Sequence, residues 1–349
     1  MSDMRFFFPA AQGTQGSRNF YTACVPFGML SRLMAIDTGN VMDRSQRQVD
    51  TKRANAISKY ICENEESFVL PALTGVIEDE TLEFIPASKG ASVGELNLSM
   101  DAVIKLFDGQ HRATGILDAI KQRRELKSQQ VTIQLFVNMS LADRQQAFSD
   151  INSNAKAVSA SLNMTYNKRD SAVNAIKEEI AKVTAWEDQI DYEKNVVGKN
   201  TDKLFTYRHV VQASRLLLGI GPKQEPDPIL VTDISKWWNA ISEAVAWKWQ
   251  VRLEQEVGPE NSVAFTAAGL MTLARVYRQL TDKYGSRYSV NAYARALKNL
   301  NWLKTDEMWL GNLVDEKGNM TSGTAGQIEA ADRIVECVSS YCEMMGAKA

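Results

Sequence analysis

The sequence predicts an α+β chain: an α/β region with a small mixed sheet, followed by a mainly helical C-terminal half. Three observations lead there. Short apolar runs of strand length alternate with helix-period segments through the first half. From about Ser171 the texture changes to long amphipathic helices. The breaks within that second half, Gly219-Ile220-Gly221-Pro222 and Pro226-Asp227-Pro228, interrupt helices without returning to strand-like alternation. Two domains are therefore expected, residues 1–168 and 169–349, and a chain of 349 residues is long enough to give each a core.

In chain order, Phe20 to Phe27 reads as a strand and Arg47 to Glu63 as a helix with Ala54, Ile57, Tyr60 and Ile61 inward. Before that strand, Gly13-Thr14-Gln15-Gly16-Ser17-Arg18 fits a flexible loop or a turn whose backbone approaches phosphate. Leu70 to Glu78 and Thr81 to Pro86 read as strands joined by an acidic turn, and Ala87 to Leu96, with Gly90 and Gly94, as a loop. Val103 to Phe107 is a short buried strand, Ala113 to Leu126 a helix with Ile116, Leu117 and Ile120 on one face, and Val131 to Val137 an alternating strand. Ser140 is placed to cap a helix over Leu141 to Ile151. The helical half is expected at Ala172–Val183, Phe205–Leu218, Ile234–Leu253, Ala264–Tyr284, Val290–Leu300 and Gly326–Met345.

Several classes are set aside by composition and motif. The longest apolar runs fall well short of the ~18 residues a membrane span needs, and Phe6-Phe7-Phe8 is cut off by Pro9. No basic start followed by an apolar stretch and a cleavage site marks a signal peptide, so a cytoplasmic protein is expected. Cys24, Cys62, Cys337 and Cys342 are scattered without metal-type pairing and read as reduced thiols. With only His111 and His209, a His-rich metal nuclease is not credible, no metal site is expected, and no P-loop sequence is present.

The densest chemistry is Asp108-Gly109-Gln110-His111-Arg112, at a strand-to-helix junction. Free N–H groups and the positive end of a helix dipole make such a turn a seat for phosphate or another anion, and Arg112 could add a bidentate clamp. The plainer reading is that Asp108 caps the helix while His111 and Arg112 are solvated in its first turn.

A net charge of −2 argues against coating nucleic acid by bulk electrostatics, but basic residues are clustered. Arg44, Arg47, Lys52 and Arg53 fall in one stretch, and Lys121, Arg123 and Arg124 extend the helix after the turn. Such clusters either track a phosphate backbone or form solvated helix faces. Trp237, Trp238, Trp247 and Trp249 share apolar faces with Ile241 and Val245, which favours a core or dimer interface over base stacking. His209 is expected to be structural.

The pentapeptide resembles the motif of the DGQHR-domain family, whose fold is related to the ParB and sulfiredoxin group, and the chain looks like the DndB regulators of bacterial DNA phosphorothioate modification. A second stretch, Phe148-Ser149-Asp150-Ile151-Asn152-Ser153-Asn154-Ala155-Lys156 followed by Val158 and Ser161-Leu162, resembles that family's Asn-rich segment. The resemblance is carried by the first half and implies a ParB-like DGQHR domain. It implies a DNA-binding repressor of the modification genes, with Gly109, Gln110, Asn152 and Asn154 at the ligand turn. Its partners would be double-stranded DNA, promoter or phosphorothioate-modified, other proteins of the modification system, and a second copy of the chain. The alternative is a nucleotide hydrolase, acting on ATP or another nucleotide with Mg²⁺ and coupled to DNA nicking. There Arg112 would hold phosphate oxygens, Asp108 would bind Mg²⁺ or position water, and His111 would move a proton.

Overall fold

The computed structural model describes residues 4–35, 49–79, 81–154, 157–198, 201–222, 224–248 and 260–346. The chain divides into two compact units, residues 1–156 and 157–349, earlier than the 168/169 boundary suggested by the change in texture. The α+β class holds: a mixed sheet with helices in the first unit, and helices in the second.

In the first unit, β1 (Arg5–Gln15), β2 (Arg18–Pro26), β3 (Met34–Ala35), β4 (Leu73–Ile77), β5 (Glu83–Pro86), β6 (Val93–Ser99), β7 (Ile104–Asp108) and β8 (Gln130–Val137) form one sheet in the order β3-β7-β4-β8-β2-β1-β6-β5. The β3/β7 and β4/β8 pairs are parallel and the rest antiparallel. Its helices are α1 (Leu30–Leu33), α2 (Thr51–Glu63), α3 (Gln110–Gln122) and α4 (Leu141–Asn154). Ile104, Leu106, Ile133 and Leu135 share a core with Ile116 and Ile120 of α3 and Ile61 of α2. Alternation sends Phe107 and Phe136 to the opposite face, where Ala147 and Phe148 of α4 pack over them. Ser140 caps α4 as expected, its Oγ accepting the Asp143 N–H at 3.2 Å.

Two stretches expected to be loops are strands. The segment Gly13 to Arg18 belongs to a β-hairpin turning at Gly16, whose φ is +59°. Pro9 hid β1 from the sequence pattern. It sits one residue before pairing with β2 begins, so its missing N–H costs nothing on that side. Val93 to Leu96 belong to β6, and Gly94 is there for contact: a Cβ would lie 2.1 Å from the Ile85 carbonyl oxygen of β5.

α2 and α3 run in the same direction. Asp50, just before α2, bonds to His111, Ala54 and Ile57 meet Gly115, and Ser58 bonds to Gln122. Gly115 permits this approach, since a Cβ there would stand 2.7 Å from Ile57 Cγ2 and 2.9 Å from the Ala54 carbonyl oxygen. α2 begins at Thr51 with the Asp50 carboxylate accepting the Lys52 N–H at 2.9 Å; residues 36–48, including the expected helix start at Arg47, lie outside the described residues.

The second unit contains α5 (Ala160–Tyr166), α6 (Ser171–Ile180), α7 (Tyr207–Leu218), α8 (Asp233–Ile241), α9 (Ala267–Tyr284), α10 (Val290–Leu297) and α11 (Thr324–Met345), with a two-stranded pair β9 (Ile190–Asp191) and β10 (Phe205–Thr206). α9 is the central helix and packs against α7 and α11. Trp186, Trp237, Trp238 and Trp247 are buried, with Trp186 within 5.4 Å, centroid to centroid, of both Trp238 and Trp247. α8 ends at Ile241 instead of running on as one helix; Trp247 lies beyond a turn in which Ala246 has φ +56°, and Trp249 is outside the described residues.

Gly115→Val should cost about 1–3 kcal/mol by overpacking the α2–α3 contact, read as a lower urea midpoint of the first unit's transition. In the second unit, burial pushes the pKa of Glu179 up, but hydrogen bonds from Lys182 and Ser235 outweigh it and hold the carboxyl below the ordinary range. A folded-state value below the unfolded one means stability fully present above the unfolded value, about pH 4.3, and lost as pH falls through the folded value. Glu179→Gln should therefore flatten the loss of stability below about pH 4, measured by thermal melts across an acid pH series.

Candidate functional site

The five-residue motif is built by a strand, a bulge and a left-handed glycine. Asp108 ends β7 opposite Thr74, while Leu106 is opposite Gly75, so Phe107 is the extra residue of a bulge that re-aims the strand end. Gly109 then takes φ +95° and is the N-cap of α3. Asp108 is thus not the cap, and Gly109 has no side chain with which to cap this helix. A Cβ on Gly109 would lie 2.7 Å from Leu73 Cδ2 and 3.0 Å from a guanidinium nitrogen of Arg112. Glycine is required both for the turn and for the space that Arg112 fills.

Arg112 folds back across that space and donates to the Asp108 carboxylate at 2.6 Å. The pair is partly shielded, with side-chain exposures of 18% for Arg112 and 35% for Asp108. Gln110 is buried. His111 accepts the Asp50 backbone N–H at its Nε2, 3.0 Å away, so the ring's proton is on Nδ1 in this arrangement. That bond ties the start of α2 to the start of α3 and brings two positive helix ends together. The first-turn N–H groups of α3 have no intrahelical acceptor.

The basic candidates separate by position. Lys52 and Arg53, in the first turn of α2, are exposed and form no ion pair among the described residues. Lys121 pairs with Asp118 at 2.8 Å and Arg123 pairs with Glu65, while Arg124 is exposed. These three stand at the far end of α3, about 15 Å along the axis from His111. Arg44 and Arg47 lie outside the described residues. Asn152 turns its amide onto the Phe148 carbonyl of its own helix at 2.8 Å, not onto the motif, and the Asn154 side chain is outside the described residues.

Asp50 was missed at the site although its signal was readable: an Asp directly before Thr51-Lys52-Arg53 is an N-cap pattern. The expected helix start at Arg47 obscured it. Among the described residues, no three His, Cys, Asp or Glu side chains gather in a metal-binding arrangement, and no helix is long and apolar enough to cross a membrane. Cys24, Cys62, Cys337 and Cys342 are free.

Taken together, these features define an α+β protein that presents a polar strand-to-helix turn where two helix amino termini meet. The chain belongs to the DndB family, described as DNA-sulfur modification-associated, whose family model matches residues 8–340. The match runs through both units, beyond the first half that carries the motif. No curated protein and no solved structure matches the chain at the significance required. Family membership ties the protein to DNA sulfur modification.

Gly109→Ala should destabilise the protein on the order of 1–3 kcal/mol through the strained φ and the clash with Leu73, whereas Asn152→Ala should stay within about 0.5 kcal/mol of wild type as an exposed change. Equilibrium denaturation of the two variants side by side checks both values.

Proposed function

We propose that the protein is a DNA-binding regulator, a repressor of a DNA phosphorothioate modification operon, which holds backbone phosphate at the joined amino termini of α2 and α3. The observation that carries this is the Asp50 N–H to His111 bond. It sets the exposed Lys52 and Arg53, which form no ion pair among the described residues, beside the first turn of α3; the Asp50 carboxylate already caps α2, so the dipole of α3 and these two cations are what act on an incoming anion. Family membership supports the setting, since DNA carries both the phosphate and the sulfur modification. Double-stranded DNA, promoter or phosphorothioate-modified, is the partner, within a ParB-like domain spanning the motif. Other proteins of the modification system and a second copy of the chain are further partners on this reading.

Electrostatics give the division of labour. Arg112 is neutralised in place by Asp108, so its task at rest is to hold the turn in shape. An incoming phosphate oxygen competes with the Asp108 carboxylate for the guanidinium, and the N–H groups of α3 complete the seat. Lys121 and Arg123 already have acidic partners and add little to a phosphate track. Hydrolysis of a nucleotide with Mg²⁺ would need Asp108 released from Arg112, to which it is paired at 2.6 Å. No hydrolytic step is therefore assigned to Asp108, His111 or Arg112.

Titration of a labelled duplex over a salt series tests the reading. Lys52→Ala and Arg53→Ala should each weaken binding to all sequences and lower the slope of log affinity against log salt by about one unit. Lys121→Ala and Arg123→Ala should leave the slope near wild type. Arg112→Met should weaken binding while Asp108→Asn, which frees the guanidinium, should tighten it. Unchanged slopes for Lys52 and Arg53 variants would remove the joined helix ends as the phosphate seat. ATP turnover lost in both Asp108→Asn and His111→Ala would favour the hydrolase instead.

A further inference from the structure

The second unit contains an open cleft of about 450 Å³, in the size range of small-molecule sites. Its lining includes the apolar Leu216 and Ile220 with Met271 of α9. The lining also includes Arg215, Arg275 and His209, and among the described residues no Asp or Glu lines the cleft. Arg215 is already engaged, donating to the Gly221 carbonyl at 2.8 Å and to Asp170 at 3.4 Å. His209 is held by Thr206 through Nδ1 at 2.9 Å.

Arg275 differs from both. Among the described residues it forms no hydrogen bond or ion pair, and its Nε is buried without an acceptor. A half-buried guanidinium whose Nε–H is buried without an acceptor carries a desolvation cost at that donor, and an anion that accepts from two guanidinium N–H groups at once would relieve it. Two helices also begin at this cleft: α9 at Ala267 and α11 at Thr324 both line it. Gly323, the N-cap of α11, offers no side chain to cap that helix, whereas Thr266 caps α9 by accepting the Gly269 N–H at 3.0 Å. Both dipoles add to the preference for negative charge.

We infer that this cleft binds a small organic anion, a carboxylate or phosphate head on an apolar or planar body, with Arg275 clamping the head and Leu216, Ile220 and Met271 receiving the body. The site is independent of the phosphate seat proposed above, because every residue it uses belongs to the second unit. It gives the helical half a ligand-binding role.

The test uses the full chain and anilinonaphthalene sulfonate as a fluorescent probe, which joins an anionic head to an apolar body. Wild type should bind it saturably at one site. Arg275→Met should weaken binding by about tenfold or more, as expected for loss of a charge-assisted clamp, and Arg275→Lys by less. Ala268→Leu, which fills the cleft, should block binding, with thermal melts confirming that each variant is folded. Adenosine monophosphate or octanoate should displace the probe while adenosine and octanol do not, and which anion competes better separates a phosphate ligand from a carboxylate. Arg112→Met should bind the probe as wild type does. Equal affinity in the Arg275→Met, Arg275→Lys and Ala268→Leu proteins would show adventitious binding only and overturn the proposal, as would displacement by the neutral analogues as effective as by the anions.

Discussion

The close approach of α2 and α3 at Gly115 is the constraint on which the candidate site depends. With any side chain at that position the helices would separate, because a Cβ would meet both the Ile57 side chain and the Ala54 carbonyl oxygen. Their separation would withdraw Asp50 from His111 and pull apart the two amino termini. One glycine in the middle of a helix, normally a cost of about 1 kcal/mol against alanine, is used here to place a second helix end at the first.

Within the motif, most residues maintain the turn before they meet any ligand. Gly109 supplies a backbone conformation and a void, Arg112 fills the void and pairs with Asp108, and Gln110 is buried. A motif dense in functional groups is thus also a small folding unit, in which an (i, i+4) ion pair closes over a left-handed residue. A turn of this kind is preorganised: an anion arriving at α3 finds the N–H groups already aligned and has one neutralised cation to recruit. Among the described residues Lys52 and Arg53 at the start of α2 form no ion pair, whereas Lys121 and Arg123 of the other basic stretch do and only its Arg124 does not.

The second unit rests on a different principle. Its core is organised around a cluster of indoles, and α9 is buried along most of its length between α7 and α11. A helix surrounded on both sides leaves little room for polar side chains. Where Arg275 does interrupt its apolar faces, its buried Nε meets no acceptor among the described residues. The family match across both units means that this helical part is a component of the family's architecture, not an appendage to the motif.

The sequence by itself determined the α+β class, the strand–turn–helix at Asp108 to Arg112, most helix positions in the second half, the Ser140 cap and the family, because each is a local pattern of period, turn chemistry or consecutive residues. Tertiary structure decided whatever depended on a neighbour distant in the chain. β1 was hidden by Pro9 and β6 by Gly94, since a proline or glycine reads as a break until its pairing partner is known. The cap at Gly109 in place of Asp108 follows from the bulge at Phe107, which needs β4 beside β7. Lys52 and Arg53 differ from Lys121 and Arg123 only through Asp118, Glu65 and the proximity of His111. Charge along a chain is a local property, but whether a charge is free depends on what the fold brings within about 4 Å of it.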